Sequence, residues 1–509
     1  MPLRDTQADM PKSVAFRTIG CRLNQCETAQ MQEALLAAGY RLVGWDRPAT
    51  VRVVNTCTVT AKSDRTCRHE IRAAKRFDPD CLMVVTGCFA QVSPEAAAVV
   101  SGVDLVLGNL DKLRLAEHLA ERLGAGGSRG SGTRGRSAPP GEPGAPDGSG
   151  APTATTTPAV AATPPVVVTP YPDRPSFEGG LFTRFHGYTR AFLKIQNGCD
   201  SSCAYCIVPR ARGPARSMRR AEVLEQVRLL AARGYREVVL TGIDLGSWGH
   251  DTGEGTLAGL LEALLAEGGA GRYRLSSIEP LEVDTALLDV IGQAGDRVAH
   301  HFHLPLQSGS DAVLRRMGRP YSSAEYVEVV DELARRFPQA TLGADVIAGF
   351  PGETDEEFEQ TFTLIEQSML NYLHVFSYSD RPGTRAASMA PKITPQALRE
   401  RSMRLIALGT RKKDAFRDSL RGTEQRVLVL KERTPDGRLV GLTGNYVEVL
   451  VSDDSLANRF ARVRLRGRLQ EERWECDLLQ AEENADIPGG QEGVTRDLRA
   501  ATGSSEEQV

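Results

Sequence analysis

The chain has 509 residues, 41% hydrophobic and 25% charged, long enough for two to four domains and ordinary enough in composition to be globular. Formal net charge is −3 and the pI is near 6.3, which excludes nucleic-acid binding through the field of the whole protein and leaves it to local basic patches. No stretch approaches the roughly 18 to 20 apolar residues that cross a bilayer, and the start, MPLRDTQADMPKSVAF, lacks the apolar core of a signal peptide; the expectation is a cytoplasmic protein whose ten cysteines are reduced thiols, suited to metal more than to disulfides.

Residues 1–123 carry three short apolar runs, VAFRTIG, VRVVNT and CLMVVTG, alternating with the helical patterns ETAQMQEALLAAG and DRTCRHEIRAAKRF. This βαβ patterning predicts a Rossmann-like α/β domain with a parallel sheet. Residues 124–183 collapse to Gly, Ser, Pro, Ala and Thr and are predicted to be a disordered linker, because such a composition buries too little apolar surface to offset its ordering entropy. In residues 184–415, AFLKIQN, YREVVLTG, YRLSSI, HFHLPL, TLGADVI and YLHVFSY read as strands, each followed by a helical segment. Six such units predict a partial (β/α)6 barrel, since a full eight-unit barrel usually needs about 250 residues. In PGETDEEF, Pro351 and Gly352 make a turn, and Thr354 with Glu357 forms a capping box for the next helix. Residues 420–480 offer the short β-rich runs QRVLVLKE, GRLVGLTG, NYVEVLVS and FARVRLRGRL, predicting a small β-barrel. Residues 481–509 are polar and Glu-rich, the pattern of a solvated tail.

Cys199, Cys203 and Cys206 lie in NGCDSSCAYCIVPR as a C-x3-C-x2-C triple at the carboxyl end of the first barrel strand, where barrel enzymes place catalysis. Three neighbouring thiolates suit an iron-sulfur cluster with one iron left open. Zinc is the structural alternative, but a closed zinc site wants a fourth ligand at matching spacing, and no Cys or His supplies one nearby. Cys21, Cys57 and Cys88 are unrelated by spacing, yet each ends an apolar strand: FRTIGC, VVNTC, VVTGC. Strand ends of one polarity gather along one edge of a parallel sheet, so the topology converges these thiols; three separate core thiols are the alternative. Cys81 begins the strand that Cys88 follows, about seven residues away at about 3.3 Å each, and so belongs to the opposite edge. Cys26 and Cys67 fall in helical patterns and read as buried free cysteines, and Cys476 has no partner cysteine nearby.

The motifs TIGCRLNQCET, NTCTVT, VTGCFAQ, GCDSSCAYCIVPRARG, SSIEP, HLPLQSGSD, DVIAGFPGETDEEF and FSYSDRPGT, in this order, resemble the radical S-adenosylmethionine methylthiotransferases, and within them the MtaB-like branch. The resemblance covers nearly the whole chain outside the linker and tail. It implies an enzyme with two 4Fe-4S clusters and S-adenosyl-L-methionine. An auxiliary cluster falls on Cys21, Cys57 and Cys88; the catalytic one falls on Cys199, Cys203 and Cys206, its open iron binding the cofactor's amine and carboxylate. An adenine C2–H bond has no acidic proton, so a radical cofactor must supply the reactivity. In the implied sequence, one electron cleaves the cofactor to a 5′-deoxyadenosyl radical that takes the hydrogen, the auxiliary cluster supplies sulfur, and a second cofactor donates methyl. The implied cofactor contacts are Thr241, Gly242 and Asp244 in LTGID, Ser277 and Glu279 in SSIEP, and Gln307 and Ser308 in LPLQSGS; a helix cap or turn role is the alternative for each.

Residues 420–480 resemble the family's TRAM domain, an RNA-binding β-barrel. Independently, Arg462, Arg464, Arg466 and Arg468 alternate with Val463, Leu465, Gly467 and Leu469, and period two puts four guanidiniums on one strand face. Such a stripe grips phosphate with little sequence reading; a solvated edge strand is the alternative. A second run, PRARGPARSMRR from Pro209, holds five arginines and no acid, either a guide for tRNA phosphate or a plain charged loop. NTCTVT and FRTIGCRLN resemble enzymes acting on N6-threonylcarbamoyladenosine at tRNA position 37, in the anticodon region. Sister branches act on isopentenyladenosine in tRNA or on a ribosomal-protein aspartate, and an iron-sulfur RNA-binding or cluster-carrier protein is the non-enzyme alternative. Two departures from the branch are Cys26, where Tyr is frequent, and the length of the linker. A reduced donor such as flavodoxin or ferredoxin and a monomeric state complete what the resemblance implies.

Overall fold

A computed structural model of the chain describes residues 12–124, 163–469 and 473–482. The first block forms a sheet of β1 (Ser13–Thr18), β2 (Arg41–Leu42), β3 (Val51–Thr56), β4 (Leu82–Gly87), β5 (Leu105–Leu107) and β6 (Val166–Val167). All neighbours are parallel, in the order β2-β1-β3-β4-β5-β6. This is the predicted parallel α/β domain, with the flavodoxin-like strand order and its switch point between β1 and β3. β3 is buried along its whole length, as a central strand covered on both faces must be. Helix Ala61–Phe77 opens on Thr60, whose hydroxyl accepts from the Ser63 N–H at 3.1 Å, and buries Cys67, Ile71 and Ala74.

Residues 163–183 depart from the expected disordered linker. β6 pairs with β5, Thr169 donates its N–H (2.8 Å) and hydroxyl (2.6 Å) to Asp111, Thr183 bonds Glu33, and Phe182 is buried. Composition hides this segment because the apolar runs Val166-Val167-Val168 and Leu181-Phe182 are too short to show a period and sit in a Pro- and Thr-rich background. Residues 125–162 of the predicted linker and 483–509 of the predicted tail lie outside the described residues.

The middle block yields β7 (Ala191–Lys194), β8 (Gln196–Asn197), β9 (Arg216–Ser217), β10 (Glu237–Thr241), β11 (Arg272–Leu275), β12 (His301–His303), β13 (Thr341–Ala348) and β14 (Tyr372–Ser377). β7 and β10 to β14 are the six predicted strands, parallel in two sheets ordered β11-β10-β7 and β12-β13-β14. The sheets meet through the parallel bridge Tyr273↔Val298, giving a partial (β/α)6 barrel. The capping box of Thr354 and Glu357 opens helix Asp355–Gln367. β8 and β9 pair antiparallel and close the base of the loop that carries the thiol triple. Among the described residues no helix is long and apolar enough to cross a membrane.

Helix Pro395–Ser419 spans the boundary predicted at 415 and leads to a closed barrel of β15 (Glu424–Arg433), β16 (Leu439–Thr443), β17 (Glu448–Val451), β18 (Phe460–Arg468) and β19 (Trp474–Ala481), ordered β15-β16-β17-β19-β18. Two arginines of β11 dock it. Arg272 donates to Arg426 O (3.2 Å) and Leu442 O (2.9 Å), and Arg274 to Gly444 O (2.9 Å) and Thr443 O (3.1 Å). Both also bind the fully buried Glu237, at 2.5 and 3.0 Å, which Arg190 reaches at 3.3 Å. Burial opposes ionisation of Glu237, but Arg272, Arg274 and Arg190 together hold its carboxyl far below the usual range. Glu237→Ala leaves these guanidiniums buried without their counter-charge, and the expected loss is roughly 3–5 kcal/mol. Chemical denaturation followed by Trp474 fluorescence checks it; an unchanged midpoint refutes the docking role.

Candidate functional site

The thiol triple sits in a loop whose two arms nearly touch. A Cβ at Gly198 (φ +73°) would lie 1.9 Å from Pro214 O, so glycine is required for the approach. Each sulfur receives one N–H at 3.4 Å: Cys199 from Ser201 N, Cys206 from Val208 N, and Cys203 from Arg319 Nη1. Burial pushes the Cys199 thiol up to about 11 and Cys206 up to about 12, so loading with metal must displace protons.

The residues implied as cofactor contacts divide. Asp244 lies beside the triple, with Oδ2 3.9 Å from Cys199 Sγ, and its Oδ1 is buried without a hydrogen-bond partner. Glu282, which the sequence did not single out, faces it and also has a buried, unpartnered oxygen, Oε2. Burial, then Asp244, raises the Glu282 carboxyl to about 8, and burial likewise raises Asp244. At neutral pH Glu282 therefore keeps a proton that it shares with Asp244, and this acid pair beside the thiol triple offers acceptors to an incoming ammonium once that proton leaves. Glu279 binds Arg319, the same arginine that serves Cys203. Thr241 is buried at the end of β10, and Gly242 N donates to Ser276 Oγ at 3.4 Å. Ser277 is half-buried just past β11. Gln307 is held with φ +66° between Asp345 O and Ile347 N, a strained conformation of the kind that collects at functional sites. Ser308 is fully buried, its hydroxyl 3.1 Å from Thr361 Oγ1 and accepting from Ser310 N at 3.2 Å, which is the turn role.

On adjacent barrel strands, His303 Nε2 donates to Asp345 Oδ1 at 2.8 Å, His374 Nδ1 approaches the same oxygen at 3.2 Å, and Tyr372 Oη lies 2.8 Å from His374 Nε2. Burial opposes ionisation of Asp345, but His303 and His374 hold it far below the usual range. The sequence signal was present, polar residues at alternating positions in HFH, GADV and YLHV, but only strand pairing brings them together.

In the N-terminal domain Cys21 caps helix Arg22–Ala37, Cys57 follows β3, and Cys88 opens helix Cys88–Val92 after β4. The three strand ends flank or adjoin the switch point, and Cys57 lies within electrostatic reach of Cys88 and Cys21. Gly87 permits this: with φ +95°, its Cβ would meet Thr56 O at 2.4 Å. Burial pushes the Cys57 thiol up to about 12. Cys67 is buried in the core and donates to Cys57 O, Cys81 is buried in the same core, and Cys26 is buried in the core that Phe182 and Phe185 share with the barrel. Cys476 donates to Leu450 O at 3.4 Å. Among the described residues, three ligand atoms lie within 4.8 Å of one another only at His303, Asp345 and His374. Three thiols in each group, with no fourth Cys or His ligand beside them in sequence, fit an iron-sulfur cage better than a closed zinc site.

The two arginine runs are less free than their patterns suggest. Arg462, Arg464, Arg466 and Arg468 alternate outward as predicted, but each has an acid: Asp296 (2.7 Å), Glu424 (2.6 Å), Asp477 (2.6 Å), and Asp414 with Asp418. In the second run Arg212 and Arg216 are buried and bind Glu27 and Glu178, Arg210 donates to Pro382 O, and Arg219 binds Glu254. These acids come from distant segments, invisible to a local count of charge.

Residues 193–365 match the family model described as Radical SAM superfamily, and residues 13–108 that described as Uncharacterized protein family UPF0004. The chain is 37% identical to the threonylcarbamoyladenosine tRNA methylthiotransferase MtaB of Aquifex aeolicus, over 86% of its own length and 96% of the relative's. It is 33% identical to the Bacillus subtilis protein of the same name, over 89% and 93%. It is also 32% identical to a tRNA-2-methylthio-N(6)-dimethylallyladenosine synthase of Moorella thermoacetica, over 89% and 96%.

The Glu282 carboxyl gives a signed pH dependence. Between the unfolded carboxylate pKa of about 4.3 and about 8, the folded state alone keeps the proton, so stability of the cofactor-free chain falls as pH rises through this window. Glu282→Gln is expected to flatten that fall, read as denaturation midpoints from pH 6 to pH 9; an unchanged slope refutes the assignment.

Proposed function

The chain belongs to the MtaB-like radical S-adenosylmethionine methylthiotransferases, and from that premise we propose that it converts N6-threonylcarbamoyladenosine at tRNA position 37 to its 2-methylthio derivative. The observation that carries this reading is the packing of helix Val208–Arg212, which begins two residues after Cys206, against helix Cys88–Val92. The contact brings the segment that follows Cys206 against the helix that Cys88 opens, and sulfur insertion at a carbon activated at the first thiol group needs the second close by.

Cys199, Cys203 and Cys206 would hold a 4Fe-4S cluster, to which S-adenosyl-L-methionine would bind. When bound and reduced, that pair supplies the hydrogen abstraction that opens an adenine C2–H bond. Asp244 and Glu282, a hydrogen-bonded acid pair, offer carboxyl oxygens to the ammonium, and Arg319 offsets part of the burial cost of Glu279. Cys21, Cys57 and Cys88 would hold a second 4Fe-4S cluster, which would supply the sulfur chemistry of the reaction. The threonylcarbamoyl substituent is taken from the branch resemblance; the chain of Tyr372, His374, Asp345 and His303 is satisfied within itself and does not choose between the two tRNA substrates. Arg462, Arg464, Arg466 and Arg468 grip tRNA phosphate by exchanging their acids. Exposed ion pairs are worth only about 0–1 kcal/mol, so phosphates replace them easily and affinity falls with salt. Electrons come from a reduced flavodoxin- or ferredoxin-type donor, and the chain works as a cytoplasmic monomer.

Mass spectrometry of tRNA nucleosides from a deletion strain is expected to lose 2-methylthio-N6-threonylcarbamoyladenosine and accumulate its unthiolated precursor. Restoration by the parent gene and not by Cys203→Ala completes the test; an unchanged nucleoside refutes the substrate. Separately, Cys57→Ala should lower the iron of an anaerobically reconstituted chain from about eight to about four per chain, and retention of about eight removes the auxiliary assignment.

A further inference from the structure

Between the two thiol groups the chain buries more positive charge than its own acids neutralise. Lys112, Lys194, Arg212 and Arg216 are each at most 2% exposed, and they face two carboxylates, Glu27 and Glu178. Glu27 takes Lys112 at 2.5 Å, Arg212 at 2.9 Å and Lys194 at 3.3 Å. Two buried positive charges remain over; burial disfavours the charged form of Lys112, whereas the guanidiniums of Arg212 and Arg216 keep theirs, and an anion beside them offsets the burial cost of such an excess.

The geometry says where that anion belongs. Arg212 Nη2 donates to Asn24 Oδ1 at 2.5 Å, and the Cys21 thiol faces the same oxygen at 3.7 Å. Asn109 Nδ2 donates to Ala211 O at 2.6 Å and lies 4.0 Å from Cys88 Sγ. Arg212 therefore points from the segment just after the barrel triple into the thiol site of the other domain. We propose that Arg212, with Lys112 and Lys194 behind it, is the counter-charge of the auxiliary cluster and sets that cluster's reduction potential. This positioning role rests on the reading of Cys21, Cys57 and Cys88 as cluster ligands. Three thiolates on an iron-sulfur cage carry net negative charge, and one more electron adds to it, so a fixed cation beside the cage favours the reduced state.

The test uses the full chain carrying Cys203→Ala, so that one cluster remains, reconstituted anaerobically and titrated by EPR-monitored reduction. Arg212→Gln is expected to lower the midpoint potential, Glu27→Gln to raise it, and Arg212→Lys to stay close to the parent; a purely structural role does not produce opposite signs. An Arg212→Gln protein that keeps its iron and the parent potential overturns the proposal. If Arg212→Gln loses its iron, Arg212→Lys decides: retention supports the counter-charge, and equal loss overturns it in favour of a purely geometric role. A Cys203→Ala parent that holds no iron overturns the auxiliary-cluster reading itself, which is a different failure.

Discussion

A carboxylate buried to 1% exposure stays ionised only if cations come to it, and Glu27 draws them from three places in the chain. Burial would raise its pKa, but Arg212, Lys112 and Lys194 hold it well below the ordinary value. Those partners lie 185, 85 and 167 residues away in sequence. Satisfying one charge thus fixes helix Arg22–Ala37, the helix Val208–Arg212 and β7 against one another. Since Cys21 caps the first of these and Cys206 precedes the second, the mutual placement of the two thiol groups follows from where Glu27 is buried.

The C-terminal barrel is held by the same physics. Glu237 does for β11 and the small barrel what Glu27 does for the two thiol-bearing domains, and in both networks the remaining guanidinium donors end on backbone or side-chain oxygens across the junction. Apolar packing could bind the domains as tightly. A buried ion network adds something else: any misplacement of one partner strands a charge, so alternative arrangements are penalised steeply.

The parts of this structure legible in the sequence are those governed by local periodicity or by strand polarity. The principal strands, the capping box at Thr354, and the gathering of Cys21, Cys57 and Cys88 at one sheet edge need only an alternation or helix pattern and the rule that parallel strands end together. Arg462 to Arg468 show the limit of that legibility. Their outward alternation is a property of one strand, whereas their acids sit on other elements, from Asp296 to Asp477. Glu282, Arg319, Asp345 and the two histidines acquire meaning only from neighbours brought by tertiary contact. Arg212 and Arg216 look like surface charge because solvent is the default surroundings of an arginine run, and only the folded interface removes it.

The short strand β6 places both flanks of residues 125–162 in one domain. Helix Leu115–Gly124 precedes them and β6, at the edge of the same sheet, follows them, so the described chain crosses to the second domain only after β6. The true connector follows β6 and is packed, from Thr169 on Asp111 to Phe182 in the core. Domain separation is therefore set by this packed strap. The effective concentration of one thiol group at the other follows from the strap's anchor points, Thr169 on Asp111 and Thr183 on Glu33, and not from the number of residues between helix Leu115–Gly124 and β6.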